Sequence, residues 1–283
     1  MGLGVKKEMT KLSFEFFPPK TTEGLTQLVE TAKNLAGFAP EFFSVTYGAG
    51  GGTQEFTLQA VARLQENHYE VAPHISCIGA TKDKIGFLLD QYQKQGIKRL
   101  VALRGDLPSG QGSVAGDFRY ACDLVSFIRE TTGDAFQIFV AAYPECHPQA
   151  ASLPRDLIHF KQKVDAGADA AITQYFFHPD AYFQLCEDCH RLKIDIPVIP
   201  GIMPIYNFSQ LSRFSEMCGA EIPRYMRKRM EALGDNAAAI REFGVEIMSR
   251  LCKDLIKAGA PGLHFYTLNK HQVVAEILEN LHA

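Results

Sequence analysis

The chain has 283 residues, with 29 Lys and Arg against 32 Asp and Glu and a formal net charge of -3 at pH 7. Near-neutral charge with scattered basic residues argues against a nucleic-acid surface, and the lack of any apolar run of eighteen or more residues argues against a membrane span. Seven cysteines, an odd number spread along the chain, suit a reducing compartment; with no secretory signal at the start, the expected location is the cytoplasm.

Residues 1–11 are expected to form a flexible N-terminal segment. The first predicted strand, 12–17, carries one acid among aromatic neighbours, Phe14-Glu15-Phe16-Phe17, and is stopped by Pro18-Pro19. Burial among rings would disfavour a carboxylate and raise its pKa, making Glu15 a candidate proton donor near neutral pH; the competing reading is a core ion pair. A helix follows, with Leu25, Leu28, Val29, Ala32 and Leu35 at spacings of three and four. The second strand, 41–48, runs into GAGGGT (48–53), which lacks the Gly-Lys-Ser/Thr ending of a phosphate loop and reads equally as a flexible loop or a ligand cradle.

Strands three to six are predicted at 71–78, 99–106, 137–145 and 170–177, separated by helical spacings such as Leu124, Phe127 and Ile128. After the sixth, Cys186-Glu187-Asp188-Cys189-His190 matches a haem-attachment pattern and half a zinc site. Tyr182, Leu185, Cys186, Cys189 and Leu192 fall at helical spacing, however, so both cysteines are read as small apolar residues on a helix face. The seventh and eighth strands, 197–204 and 263–269, are separated by 207–260, which holds two or three helical segments and a loop near 219–223.

Eight near-continuous apolar strands alternating with helices predict a single α/β domain over 1–283, a closed (β/α)8 TIM barrel with extra helices between strands seven and eight. An open doubly wound sheet is the alternative, but no Gly-x-Gly-x-x-Gly follows the first strand. Chemistry in such a barrel gathers at the C-terminal strand ends. Those ends offer Glu15, then Thr46 and Tyr47, His74, Arg104 and Asp106, then Tyr143, Glu145 and His147, Gln174, and finally Tyr266, Asn269 and Lys270. No strand carries a His-x-His pair, so no metal is expected; no strand lysine is placed for a Schiff base, and there is no serine elbow. The remaining acids, amides, tyrosines and arginine suit holding a cofactor that brings its own chemistry. A cofactor-free lyase or aldolase acting on a small carbonyl compound, and a non-catalytic binding protein, are the competing functions.

The segments SFEFFPP (13–19), VTYGA (45–49), APHISC (72–77), VALRGDLP (101–108), VAAYPECH (140–147), KVDAGADAAITQ (163–174), IPGIMP (199–204) and HFYTLN (264–269) lie in this order. Together they resemble the bacterial methylenetetrahydrofolate reductases, from about residue 12 to the end. The resemblance implies an FAD-containing barrel that moves a hydride from NADH or NADPH to the flavin and then to 5,10-methylenetetrahydrofolate. The product is 5-methyltetrahydrofolate, which feeds methionine synthesis.

For catalysis the resemblance implies Glu15 as the acid that protonates the departing ring nitrogen, and Asp106 as the carboxylate that stabilises the cationic iminium and tunes the flavin. For FAD it implies Thr46, His74, Arg104, Gly105, Asp106, Tyr120, Ala121, Tyr143, His147, Asp156 and Lys163, with His159 and Gln162 departing from the family pattern near the phosphates. For the folate it implies Gln174, Gln210, Phe214 as a stacking ring, Tyr266, and Lys270 where some relatives carry Arg. Partners are expected to be these small molecules and further copies of the chain in a homo-oligomer. No C-terminal regulatory domain, and so no control by S-adenosylmethionine through it, is expected.

Overall fold

In the computed structural model, residues 10–47, 54–105 and 115–282 are described. The glycine run 48–53, Asp106 and residues 1–9 of the N-terminal segment lie outside them. The strands are β1 (Leu12–Phe16), β2 (Phe42–Val45), β3 (Val71–Ser76), β4 (Arg99–Leu103), β5 (Gln137–Ala142), β6 (Ala170–Thr173), β7 (Val198–Ile199), β8 (Gly201–Ile202) and β9 (Leu263–Tyr266). The helices are α1 (Thr22–Ala36), α2 (Gln54–Glu66), α3 (Lys82–Lys94), α4 (Ala121–Thr132), α5 (Leu153–Asp165), α6 (Pro179–Arg191), α7 (Phe208–Cys218), α8 (Arg224–Leu233), α9 (Ala237–Lys257) and α10 (Gln272–His282).

All pairings are parallel, in the order β7-β6-β5-β4-β3-β2-β1-β9-β8. The predicted seventh strand is thus two short pieces on either side of Pro200. The first piece pairs with β6 and the second with β9, which brings the two ends of the sheet order together as a (β/α)8 barrel. Proline has no N–H for the ladder, but its carbonyl still accepts from His264 N at 3.0 Å. At Gly201 an added Cβ would lie 2.2 Å from the Thr173 carbonyl oxygen and 2.7 Å from the Tyr266 ring, so closure requires glycine there. The fourth and fifth strands end earlier than predicted, at Leu103 and Ala142, because the polar residues that follow leave the ladder as loops.

Period-two alternation sorts each strand into two faces. In β1, Phe14 and Phe16 face the helix layer, with Phe14 5.8 Å from Phe43 and 5.9 Å from Phe265 between ring centroids. Both rings are fully buried, each worth roughly 1.5–3 kcal/mol relative to exposure. The barrel interior holds a second apolar cluster, in which Phe42 of β2 meets Phe139 of β5 across the barrel at 5.0 Å, with Ala72, Val101, Ala170 and Ile172 around them. That plug fills the interior below the polar rim.

The helices follow the predicted faces. In α1, Leu28, Thr31, Ala32 and Leu35 are buried, and the Thr21 hydroxyl caps the helix by accepting Gly24 N at 3.1 Å. On α6, Cys189 is buried and Cys186 is half-buried against the core, as expected for a helix face. Residues 207–260 form three helices, with the expected loop at 219–223 between α7 and α8. Among the described residues, no helix is long and apolar enough to cross a membrane, and no group of three or more His, Cys, Asp or Glu is placed to hold a metal ion.

Candidate active site

Glu15 is the centre of the polar rim. The alternation that turns Phe14 and Phe16 outward turns Ser13 and Glu15 into the barrel, so the neighbouring rings in sequence are not its environment. Its Oε2 lies 3.3 Å from His74 Nε2 and 3.4 Å from His264 Nε2, and only 17 % of the side chain reaches solvent. Behind it, His264 Nδ1 meets Ser13 Oγ at 2.8 Å with both groups buried. The result is a chain from Ser13 through His264 to Glu15.

The expected upward shift of Glu15 is therefore reversed. Burial does push the carboxyl up, but the electrostatic pull of His74 and the hydrogen bond with His264 outweigh it and hold the group at about 2. Of the two readings that the sequence left open, the pairing of Glu15 with a base inside the barrel is the one seen here.

The floor around Glu15 is also polar. Ser44, its cross-strand neighbour on β2, has a buried hydroxyl without a hydrogen-bond partner, and His74 Nε2 sits within ion-pair reach of Glu15 but off hydrogen-bond geometry. Tyr266 crosses the barrel and donates to the Thr173 carbonyl at 2.6 Å, and burial raises its phenol well above the ordinary value. The Tyr266 hydroxyl is thus committed to barrel closure.

On one side of the rim stand the groups expected to hold a dinucleotide. Gly105, at the end of β4, has φ 86°, and a Cβ there would lie 2.0 Å from Ser76 Oγ, so only glycine fits. The Arg104 guanidinium is bonded to the Gln149 side chain and stays half-buried. Tyr143 and His147 meet edge to face at 4.6 Å, and Asp156 on α5 accepts His147 N at 2.8 Å. Lys163, on the same helix, bonds the Ala141 carbonyl, and desolvation pulls its ammonium down to about 8 against the opposing pull of Asp156. Tyr120, at the start of α4 beside Ala121, is exposed and stacks on His159 with centroids 6.1 Å apart and planes 18° apart. Thr46 continues β2, its N–H on the Phe16 carbonyl at 2.9 Å.

The other side carries the groups expected to meet a folate. Gln174, just past β6, turns its carbonyl oxygen back to Tyr175 N at 2.9 Å, leaving its NH2 as donor. Gln210 and Phe214 sit on α7, where Gln210 N is taken by the capping Asn207 at 2.7 Å and the Arg213 guanidinium lies 5.4 Å from the Phe214 centroid. Lys270 lies over the Tyr206 ring at 4.8 Å and lines a cavity of about 560 Å³ with Arg241, Asn269 and α1, outside the barrel interior. Asp106 lies outside the described residues.

Ser13, Ser44 and His264 were not singled out from the sequence. His264 had a readable signal, because it shares the inward parity of Tyr266 two residues later. Ser13 shares that of Glu15.

Comparison with known proteins follows this geometry. A family model described as methylenetetrahydrofolate reductase matches residues 3–282. A 5,10-methylenetetrahydrofolate reductase of Salmonella typhimurium is 41 % identical over 271 residues, covering 95 % of this chain and 90 % of the relative, and that of Escherichia coli is 40 % identical over the same shares. A probable methylenetetrahydrofolate reductase (NADH) of Oryza sativa is 40 % identical over 96 % of this chain and 48 % of the relative, so the chain spans about half the length of the plant relatives it matches. Among solved structures, an uncharacterised Clostridium thermocellum protein, described as binding two copies of 5-methyl-5,6,7,8-tetrahydrofolic acid, aligns with TM-score 0.64 over 97 % of this chain and 94 % of its own, at 14 % identity. At that identity the likeness is one of fold.

Proposed function

The chain belongs to the methylenetetrahydrofolate reductase family, and from that membership we propose that this barrel, as one catalytic unit, reduces 5,10-methylenetetrahydrofolate to 5-methyltetrahydrofolate using FAD and a reduced nicotinamide dinucleotide. The product serves methionine synthesis in the cytoplasm, and the working form is a homo-oligomer. The names of the plant relatives carry NADH, which makes NADH the first reductant to test. The observation that carries the reading is the Glu15 carboxylate set between His74 and His264 at the barrel rim.

The donor set fits a flavin dinucleotide. Arg104 and Lys163 supply positive charge for a diphosphate, the exposed Tyr120 ring on His159 supplies a flat apolar surface for a base, and Gly105 keeps the backbone bare beside them. When bound, the flavin supplies the hydride relay between the two substrates. Every proton step belongs to the protein.

Ring opening of the substrate needs a proton on its departing nitrogen, and Glu15 delivers it. The His74 and His264 imidazoles stand 3.3–3.4 Å from its Oε2. Desolvation by a bound ligand acts in the same direction as the burial that already pushes the carboxyl up, toward the protonated form that can donate. His264 is held for this by Ser13 on its far nitrogen, which fixes the ring's orientation. Gln174 donates to the pterin, Phe214 covers it, and Asp106 offsets the positive charge of the opened form. Lys270 meets a folate carboxylate as a point charge.

The test is the visible spectrum of the purified protein, before and after anaerobic NADH and then after the folate. Flavin bands that bleach and return are the expected result. A protein with no flavin bands after incubation with FAD overturns the reading, and bands that bleach but ignore the folate overturn the substrate.

A further inference from the structure

Helix α7 bridges the barrel rim from the end of β8 to the loop after β5, yet it is thinly seated. Of its eleven residues only Leu211 and Ser215 are buried. The half-buried Phe208, Phe214 and Cys218 pack against the core beside Leu211, and polar ties add to that seating. In the middle, Ser215 Oγ meets Tyr175 Oη at 3.1 Å, with the two residues 5 % and 3 % exposed. Just past the far end, Glu145 Oε2 accepts Glu221 N at 2.9 Å, and Gly219, left-handed at φ 77°, packs on Pro148. The two ties reach different loops. Tyr175 directly follows Gln174 and gives its N–H to that side chain, whereas Glu145 lies between Tyr143 and His147.

We propose that Tyr175 and Glu145 are positioning residues that moor α7, holding Gln210 and Phe214 over the rim in register with Gln174 on one side and the 143–147 loop on the other. The roles given to Gln210 and Phe214 rest on the reductase reading above; the mooring itself does not. The Tyr175 ring is independently packed against Phe177 and Tyr266, so losing its hydroxyl alone leaves the ring in place. What is lost is the partner of a buried serine, which no solvent water reaches to replace. With one of its two polar ties gone and most of its apolar contacts only half-buried, α7 then spends part of its time detached, and the folate must re-order it on binding.

The test uses the flavin-loaded protein. For Tyr175→Phe the folate KM rises about 5- to 10-fold while flavin reduction by NADH stays within about twofold, the loss of one buried hydrogen bond expressed on one substrate only. Glu145→Ala moves the same way, and Glu145→Gln, which keeps an oxygen acceptor for Glu221 N, returns to near the parent value. Amide hydrogen exchange of residues 211–218 quickens about tenfold in Tyr175→Phe, with α9 unchanged. Unchanged exchange in α7, or equal quickening in α9, overturns the mooring. Selective quickening in a protein whose parent does not turn over the folate upholds the mooring and overturns the reductase reading instead.

Discussion

The seam between β1 and β9 and the helix α7 meet at the same rim and are built in opposite ways. At the seam, four consecutive residue pairs are in register, His264 has a partner on each ring nitrogen, and the flanking Phe14 and Phe265 are fully buried. α7 has two buried side chains and is tied by single hydrogen bonds. Glu15, the proposed proton donor, is thus fixed by sheet and core, where a displacement of a few tenths of an ångström is costly. Gln210 and Phe214, proposed to cover the substrate, ride on an element that local free energies can shift. Precision is needed where a proton moves between atoms, and compliance where a bulky ligand enters and leaves.

The strongest way to break this comparison is Glu15→Gln. Folate turnover is expected to fall about 10²- to 10⁴-fold, the span of a general acid, with flavin reduction by NADH retained in stopped-flow measurement. Full folate turnover would remove Glu15 from the proton path and leave the seam a purely structural feature. Next in size is Gly201→Ala, which places a methyl 2.2 Å from the Thr173 carbonyl oxygen and forces the two halves of the broken strand apart. A loss of about 3 kcal/mol in chemical denaturation is expected, the upper end for overpacking.

A third measurement separates the flavin side of the rim from both regions. Lys163 has its pKa held at about 8 in the free protein by burial, and a bound diphosphate would raise it. Below pH 8 the ammonium is present in free and bound forms, so affinity is flat. Above it, binding must take up a proton, so FAD affinity is expected to fall by up to about tenfold per pH unit, and Lys163→Met should flatten that slope. The smallest effect belongs to α7. Asn207→Ala removes the cap on Gln210 N and is expected to cost about 1 kcal/mol, seen as faster exchange in α7 with almost no change in the melting temperature.

Much of the architecture was legible because it repeats. Strand after strand of apolar residues, each followed by a helical spacing, dictates a parallel sheet whose faces are both covered, and the order of motifs carries the rim residues with it. The break at Pro200 was less legible, since IPGIMP reads as one apolar run and only its partners on either side show that the ladder changes hands there. Tyr175 and Ser215 gave one weak signal, a serine on the same face of α7 as Leu211 and Cys218. Glu145 was visible as a rim residue, but its partner Glu221 N is a backbone group 76 positions away.

The sequence by itself determined the barrel, the inward parity of Glu15 and the family of the chain, because alternation and motif order are local properties written residue by residue. It did not determine the state of Glu15. Read along the chain, the neighbours of that carboxyl are phenylalanines, and they argue for a raised pKa. Only closure of the barrel brings His264, 249 positions away, and His74, two strands over, onto the same oxygen, and their opposing charge reverses the shift. Electrostatic interaction depends on distance through space, and that distance is set by tertiary structure.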